Sequence, residues 1–157
     1  MEIYLPFNDF KKSLDCLEDN QLQKQKQNIK CLVDVIEQLQ RQSFLGRGKI
    51  AWGTNPTTIM WENALPFLKL YYNTSLLVSH NRGLQNGQNN VFNLYPITFN
   101  GEIPWWFGKE NLHLSHQNAL VKLNPQVYKA KFSIDVDGSK PLLFPKVIRG
   151  KQYLCTI

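Results

Sequence analysis

Residues 19–42 read DNQLQKQKQNIKCLVDVIEQLQRQ. Set at about 100° per residue, Leu22, Ile29, Leu32, Val33, Ile36 and Leu39 fall on one face of a helix. Gln25 lies in the middle of that face, Gln21 and Asn28 on one edge and Lys26 on the other, while Lys24 points further out. The stretch predicts one long helix. Its second half offers hydrocarbon to a core, and its first half offers amides and lysines from the same side. A buried glutamine without a partner costs roughly 1–3 kcal/mol. Two arrangements meet that cost. Either a polar network or solvent satisfies the amides, or they line a wet pocket. In the second case Gln21, Gln25 and Asn28 hydrogen-bond a ligand, and Lys24, Lys26 and the positive helix end meet a phosphate.

Working outward, residues 3–5 are expected to be extended before Pro6, and Asn8 or Asp9 to cap a short helix through FKKSLDCL. Asp19 is expected to cap the long helix. Gly46 and Gly48 in SFLGRGK break the chain after it. Thr54 or Asn55 then caps a helix with Pro56 at its first position, running to about Gly83 with a kink at Pro66. This helix is apolar on most sides and is expected to be central. A polar loop is expected over 84–90 and irregular, aromatic-rich structure over 91–108. A helix from Lys109 to Leu123 and a short turn over 124–132 follow. The tail, 132–157, is basic, with a hairpin-like DVDG at 135–138. The fold class expected is mainly α: one compact single-domain helical bundle over 1–157, with long irregular loops and a loosely structured C-terminal segment.

The chain has 157 residues, is 43% hydrophobic and carries 18 Lys and Arg against 12 Asp and Glu, a net charge of +6. Most of the excess comes late, where Lys122, Lys129, Lys131, Lys140, Lys146, Arg149 and Lys151 face only Asp135 and Asp137. Such a region is either a solvated surface or one that attracts phosphates. No apolar run approaches about 18 residues, so no membrane span is expected. MEIYLPFNDF lacks the pattern of a signal peptide. Cys16, Cys31 and Cys155 are odd in number and have neither metal nor redox spacing, as in an intracellular protein of cytoplasm, nucleoid or nucleus. No cofactor is expected.

PWWFGKENLHLSHQNAL, residues 104–120, sets Trp105 and Trp106 in a turn before a helix carrying His113 and His116. The histidines, three apart, are neighbours on the helix surface. They are either core histidines with backbone partners beside packed tryptophans, or phosphate contacts beside aromatics that stack on a base. Zinc is a poor fit, because third and fourth ligands at recognisable spacing are missing.

MEIYLPFNDFKKSLDCLEDNQLQKQ, AWGTNPTTIMW and PWWFGKENLHLSHQNALVKLNPQVYKAKF together resemble, in order and spacing, the family of pyrimidine-dimer DNA glycosylases related to phage endonuclease V. The resemblance runs from Met1 to about Phe132 and implies a compact, mainly helical domain acting on damaged, double-stranded DNA. It implies a primary amine attacking the sugar C1′ to give a Schiff base, assisted by a carboxylate on the long helix. The aligned carboxylate position holds Asn28, and Lys24, Gln25 and Lys26 match the family's Lys-Gln-Arg. Met1, Lys24 and Lys26 are the candidate amines. Gln21, Gln25, Trp105, Trp106, His113 and His116 are the groups that would receive an extruded nucleotide. Lys122, Lys129 and Lys131 would meet the DNA backbone. Gln117 stands where the family has an arginine. The other readings are a DNA-binding or protein-interaction descendant without the chemistry, and an enzyme on a nucleotide or nucleoside.

Overall fold

The structure is a computed structural model that describes residues 1–84, 93–96 and 100–157. It is mainly α. The described helices are α1 (Phe10–Asp15), α2 (Asp19–Arg41), α3 (Pro56–Trp61), α4 (Leu65–Asn81), α5 (Glu110–Leu123) and α6 (Pro125–Tyr128). Strands β1 (Phe144–Ile148) and β2 (Lys151–Cys155) form an antiparallel pair. The loop expected over 84–90 lies from residue 85 on outside the described residues, as do 91–92 and 97–99 of the irregular stretch. Two compact units make up the chain: Met1–Ile3 with Asp19–Pro104, and Tyr4–Glu18 with Trp105–Ile157.

In the first unit α2 packs on α4. The stripe on α2 does what its spacing requires: Leu22, Ile29, Leu32, Val33 and Ile36 are all buried. Each such side chain contributes about 1.5–3 kcal/mol through removal of apolar area from water. The facing helix α4 buries Phe67, Leu68, Tyr71, Tyr72, Leu76 and Val78 among its apolar residues. Trp61 is wholly buried and stacks on both Phe67 and Tyr71, with ring centroids 6.2 and 6.1 Å apart. At the surface Lys69 of α4 pairs with Glu37 of α2 at 2.9 Å.

Two details correct the expectations for this unit. Asp19 is the first residue of α2 rather than its cap, and it accepts a bond from Arg82 Nη1 at 3.3 Å. Pro66 does not kink a single helix. The chain breaks between Trp61 and Leu65, and Pro66 sits in the first turn of α4, where a missing amide costs nothing. The start of α3 is as read: Asn55 accepts from Thr57 N at 2.9 Å and Pro56 opens the helix.

The connector between α2 and α3 is a run of short turns. Leu45, Lys49, Ile50, Gly53 and Asn55 each donate their backbone N–H to the carbonyl three residues earlier, at 2.9–3.2 Å. Gly53 lies directly under the Arg47 carbonyl, where a Cβ would collide. Trp52 takes a left-handed φ of 65°, and its carbonyl accepts from Thr58 Oγ1 at 2.8 Å.

In the second unit Asp9 caps α1 by accepting from Lys12 N at 2.7 Å. Ser13 closes the turn below it, its hydroxyl bonded to both Phe7 N and Phe7 O at 3.0 Å. Leu5 and Tyr128 are completely buried, and Tyr128 Oη accepts from Glu18 N at 3.3 Å. Asn124 opens α6 by accepting from Val127 N. The C-terminal segment forms its hairpin later than the DVDG motif. Asp137 closes only a local turn, accepting from Ser139 N at 2.9 Å. The strands pair around Arg149 and Gly150, from Phe144↔Cys155 to Ile148↔Lys151. Both turn residues have positive φ, 50° and 77°, as a two-residue hairpin loop that follows the strand twist requires.

Candidate functional site

Met1, Gln21, Lys24, Gln25, Lys26 and Asn28 all belong to the first unit. The amides at the start of α2 are inside it. Gln25 is 0% exposed and donates from Nε2 to Tyr71 Oη at 2.9 Å, so a neighbouring helix satisfies the amide in the middle of the core face. Gln21 is also buried.

Lys26 is 1% exposed, and its Nζ lies 3.4 Å from Ser79 Oγ, a hydroxyl that itself donates to Leu84 O. Among the described residues no carboxylate pairs with Lys26, and burial holds its pKa below the usual lysine value. A lowered pKa suits a nucleophilic amine, but this one is sealed from solvent. Lys24, two residues earlier, is exposed.

Asn28 is half-buried at the edge of the stripe. Its Nδ2 donates to the Glu2 carbonyl at 2.9 Å, and Thr57 Oγ1 of α3 donates to the Met1 carbonyl at 3.1 Å. Two side chains thus fix the backbone of residues 1 and 2 in one place. Position 28 is thereby a neighbour of residue 2, which no local pattern in the sequence reveals because they are 26 positions apart. Glu2 and Thr57, which make the arrangement, were not singled out by their spacing. Their only signal is that both fall within the quoted family-like motifs.

Trp105, Trp106, His113, His116, Lys122, Lys129 and Lys131 belong to the second unit. Trp106 is buried and Trp105 half-buried. Both histidines grip one residue. His113 Nδ1 donates to Leu5 O at 2.8 Å, and His116 Nδ1 accepts from Leu5 N at 3.1 Å. Gly108 N donates to His113 Nε2 at 2.9 Å, which fixes that ring as a neutral tautomer. Leu5 N–H can bond His116 only while its Nδ1 is unprotonated, so the proton sits on Nε2, which is buried and has no partner among the described residues. Burial, and secondarily the neighbouring His113, pushes the His116 pKa down to about 3. Burial also lowers that of His113, against an opposing contribution from the Leu5 carbonyl. Phe107 stands edge-on to His113, with centroids 5.6 Å apart. Two neutral imidazoles one turn apart therefore serve as backbone partners for an otherwise buried peptide group.

Gln117 donates to Pro6 O at 2.8 Å beside a cavity of about 230 Å³ whose wall includes Phe7, Glu110 and His113. Lys122, Lys129 and Lys131 are exposed; Lys131 Nζ lies 2.8 Å from Cys16 O. In the first unit a cavity of about 350 Å³ sits at the C-terminal end of α2, bordered by the Arg47–Glu62 ion pair and far along the helix from Asn28. Neither cavity includes Gln25 or Asn28.

No helix of the described residues is long and apolar enough to cross a membrane. No curated protein and no solved structure matches the chain. One family model does, that of the pyrimidine dimer DNA glycosylases, over residues 1–90. The match spans more than half of the sequence and takes in α1 to α4, with Met1, Gln25, Lys26 and Asn28. On that match the chain belongs to the pyrimidine dimer DNA glycosylase family.

Proposed function

We propose that the protein excises damaged pyrimidines from double-stranded DNA with a slow second step, because Asn28 stands where the family's carboxylate is expected. The observation that carries this reading is the bond from Asn28 Nδ2 to the Glu2 carbonyl, which ties position 28 to the residue that follows Met1. In this reading the α-amine of Met1, unprotonated, attacks the sugar C1′. The C1′–N bond breaks, the base leaves with the electron pair and takes up a proton, and the amine is left as a protonated imine on the opened sugar. Strand cleavage then needs a base to remove the C2′ proton so that the 3′ phosphate departs. An amide cannot take that proton. Loss of a positioned acid–base group costs about 10²–10⁴-fold in rate, so the imine accumulates and the strand is cut slowly.

The remaining candidates take supporting roles. Gln21 and Gln25 stiffen the start of α2, and His113 and His116 hold Leu5. Of the two tryptophans, Trp105 is half-buried and Trp106 buried, so the base-contact role is assigned to Trp105. Lys122, Lys129 and Lys131 meet phosphates, and Lys24 and Lys26 do not react.

The test is borohydride trapping on duplex DNA carrying a pyrimidine dimer or an abasic site. The unaltered protein is expected to form an adduct with little strand cleavage. The adduct is expected to survive Lys24→Gln and to be lost when the α-amine is blocked by acetylation. Asn28→Glu is expected to raise cleavage. A second reading, a DNA-binding descendant without chemistry, is favoured by the engagement of the Asn28 amide with backbone. Binding to the lesion duplex with no trapped adduct would establish that reading and overturn the first.

A further inference from the structure

The C-terminal hairpin lies outside the residues matched by the family model. Its strands are half-buried at one end and exposed at the other: Phe144, Pro145, Leu154 and Cys155 at the root, and Lys146 to Ile148 with Lys151 to Tyr153 toward the tip. The root is tied down. Leu143 N donates to Ser115 Oγ at 3.1 Å, and Asn118 of α5, itself buried, accepts from Gly138 N at 3.0 Å. A lone two-stranded ribbon is marginal in water and gains little by exposing apolar side chains. This one exposes Val147 (57%), Ile148 (46%) and Tyr153 (45%).

The tip is also purely cationic. Residues 144–155 contain Lys146, Arg149 and Lys151 and no acid. The register places Lys146 opposite Tyr153 and Ile148 opposite Lys151, so both lysines, the tyrosine and the isoleucine share one face. None of the three cations takes part in an ion pair among the described residues. Arg149 occupies a left-handed position, φ 50°, at which asparagine, aspartate or glycine is the usual occupant. The turn gives up that preference and carries a guanidinium at its apex.

Dimensions agree with the charge. Five residues at about 3.3 Å each make the ribbon roughly 17 Å long. Two strands about 4.8 Å apart, with side chains, fit a major groove about 12 Å wide. We propose that the Phe144–Cys155 hairpin enters the major groove of duplex DNA with the Lys146, Lys151 and Tyr153 face inward, the long lysines and the apical Arg149 reaching phosphates on the groove walls and Tyr153 the base edges. The inference rests on the reading that the protein acts on DNA, and adds a contact surface separate from Asn28.

The experiment uses the full chain with K146E, R149E and K151E combined, and the milder K146Q, R149Q and K151Q set. All are exposed positions, and circular dichroism checks that each set folds. Duplex affinity is measured against salt, with methylation protection of guanine N7 as the major-groove readout. Three phosphate contacts correspond to a log–log salt slope shallower by about 2.7, and an affinity lower by up to about 500-fold at 0.1 M salt. N7 protection should appear with the unaltered protein and vanish in both sets. An unchanged slope in folded variants, or no N7 protection by the unaltered protein, overturns the hairpin assignment and leaves base excision standing. Failure of the unaltered protein to bind any duplex overturns both. Self-association abolished by the substitutions, at constant DNA affinity, overturns it in favour of a second copy at the exposed strand edge.

Discussion

Acidification should destabilise the second unit through His116. The ring is completely buried and its folded pKa is about 3, against 6.5 for the free side chain. The unfolded chain therefore binds a proton below about pH 6.5 that the folded chain refuses until about pH 3. Stability from this residue is fully present above pH 6.5 and is lost progressively as pH falls through that window. Between pH 7.5 and 5 the loss from His116 alone is about 2 kcal/mol. His113, also lowered, adds in the same direction. Protonating His116 at Nδ1 would place N–H against the Leu5 N–H that now donates to it, so the cost is a specific bond as well as a buried charge. The assay is urea unfolding of the full chain at both pH values, followed by far-ultraviolet circular dichroism, alongside His116→Asn. The asparagine Oδ1 keeps an acceptor for Leu5 N but cannot titrate. The variant should start less stable, by about 1–3 kcal/mol through lost volume, and its stability should fall about 2 kcal/mol less between the two pH values. If both proteins lose the same stability to within about 0.5 kcal/mol, the tautomer and burial argument for His116 is wrong.

Lys26→Met tests the enclosed lysine. Burial lowers its folded pKa below 10.5, so the fold bears an increasing penalty as pH drops beneath that value. The methionine variant should match or exceed the unaltered protein at pH 7, with the advantage shrinking by pH 10. Thermal melts at the two pH values decide it, and a clear loss at pH 7 would mean that the charge is compensated. Gly53→Ala should cost more than about 2 kcal/mol, because the new Cβ would drive into the Arg47 carbonyl. A urea midpoint unchanged by that substitution would show that the connector yields easily.

How much of this was legible depends on the range over which each signal acts. The α2 stripe, the Asp9 cap and the Asn55–Pro56 start were readable because cap chemistry and period are local. Pro66 was visible, but its effect was not. A proline inside an apolar run reads as a kink, whereas Ala64 N bonds Trp61 O and the chain starts a second helix around it. The hairpin was missed because Arg-Gly is a poor turn signal beside DVDG, and the pairing that reveals it joins residues up to 11 apart. At the candidate site, spacing could flag Gln25 and His116 as polar groups on apolar faces. It could not name Tyr71 or Leu5 as their partners, since those contacts span 46 and 111 residues. The family resemblance singled out position 28, but its bond to the Glu2 carbonyl is a property of the folded first unit alone.

The connector between α2 and α3 carries a consequence for how this chain can change. Its turns follow one another without a gap, with starting carbonyls at Gln42, Gly46, Arg47, Ile50 and Trp52, and the last delivers Asn55 to its capping position. Such a series counts residues. Its outward side chains, Phe44 and Trp52 among them, can be exchanged without altering the count. One inserted or deleted residue would shift the phase of every later turn and misplace the start of α3, with it Thr57 and the Met1 carbonyl that Thr57 holds. The segment is open to substitution at its surface and closed to changes of length, a ruler between two helices.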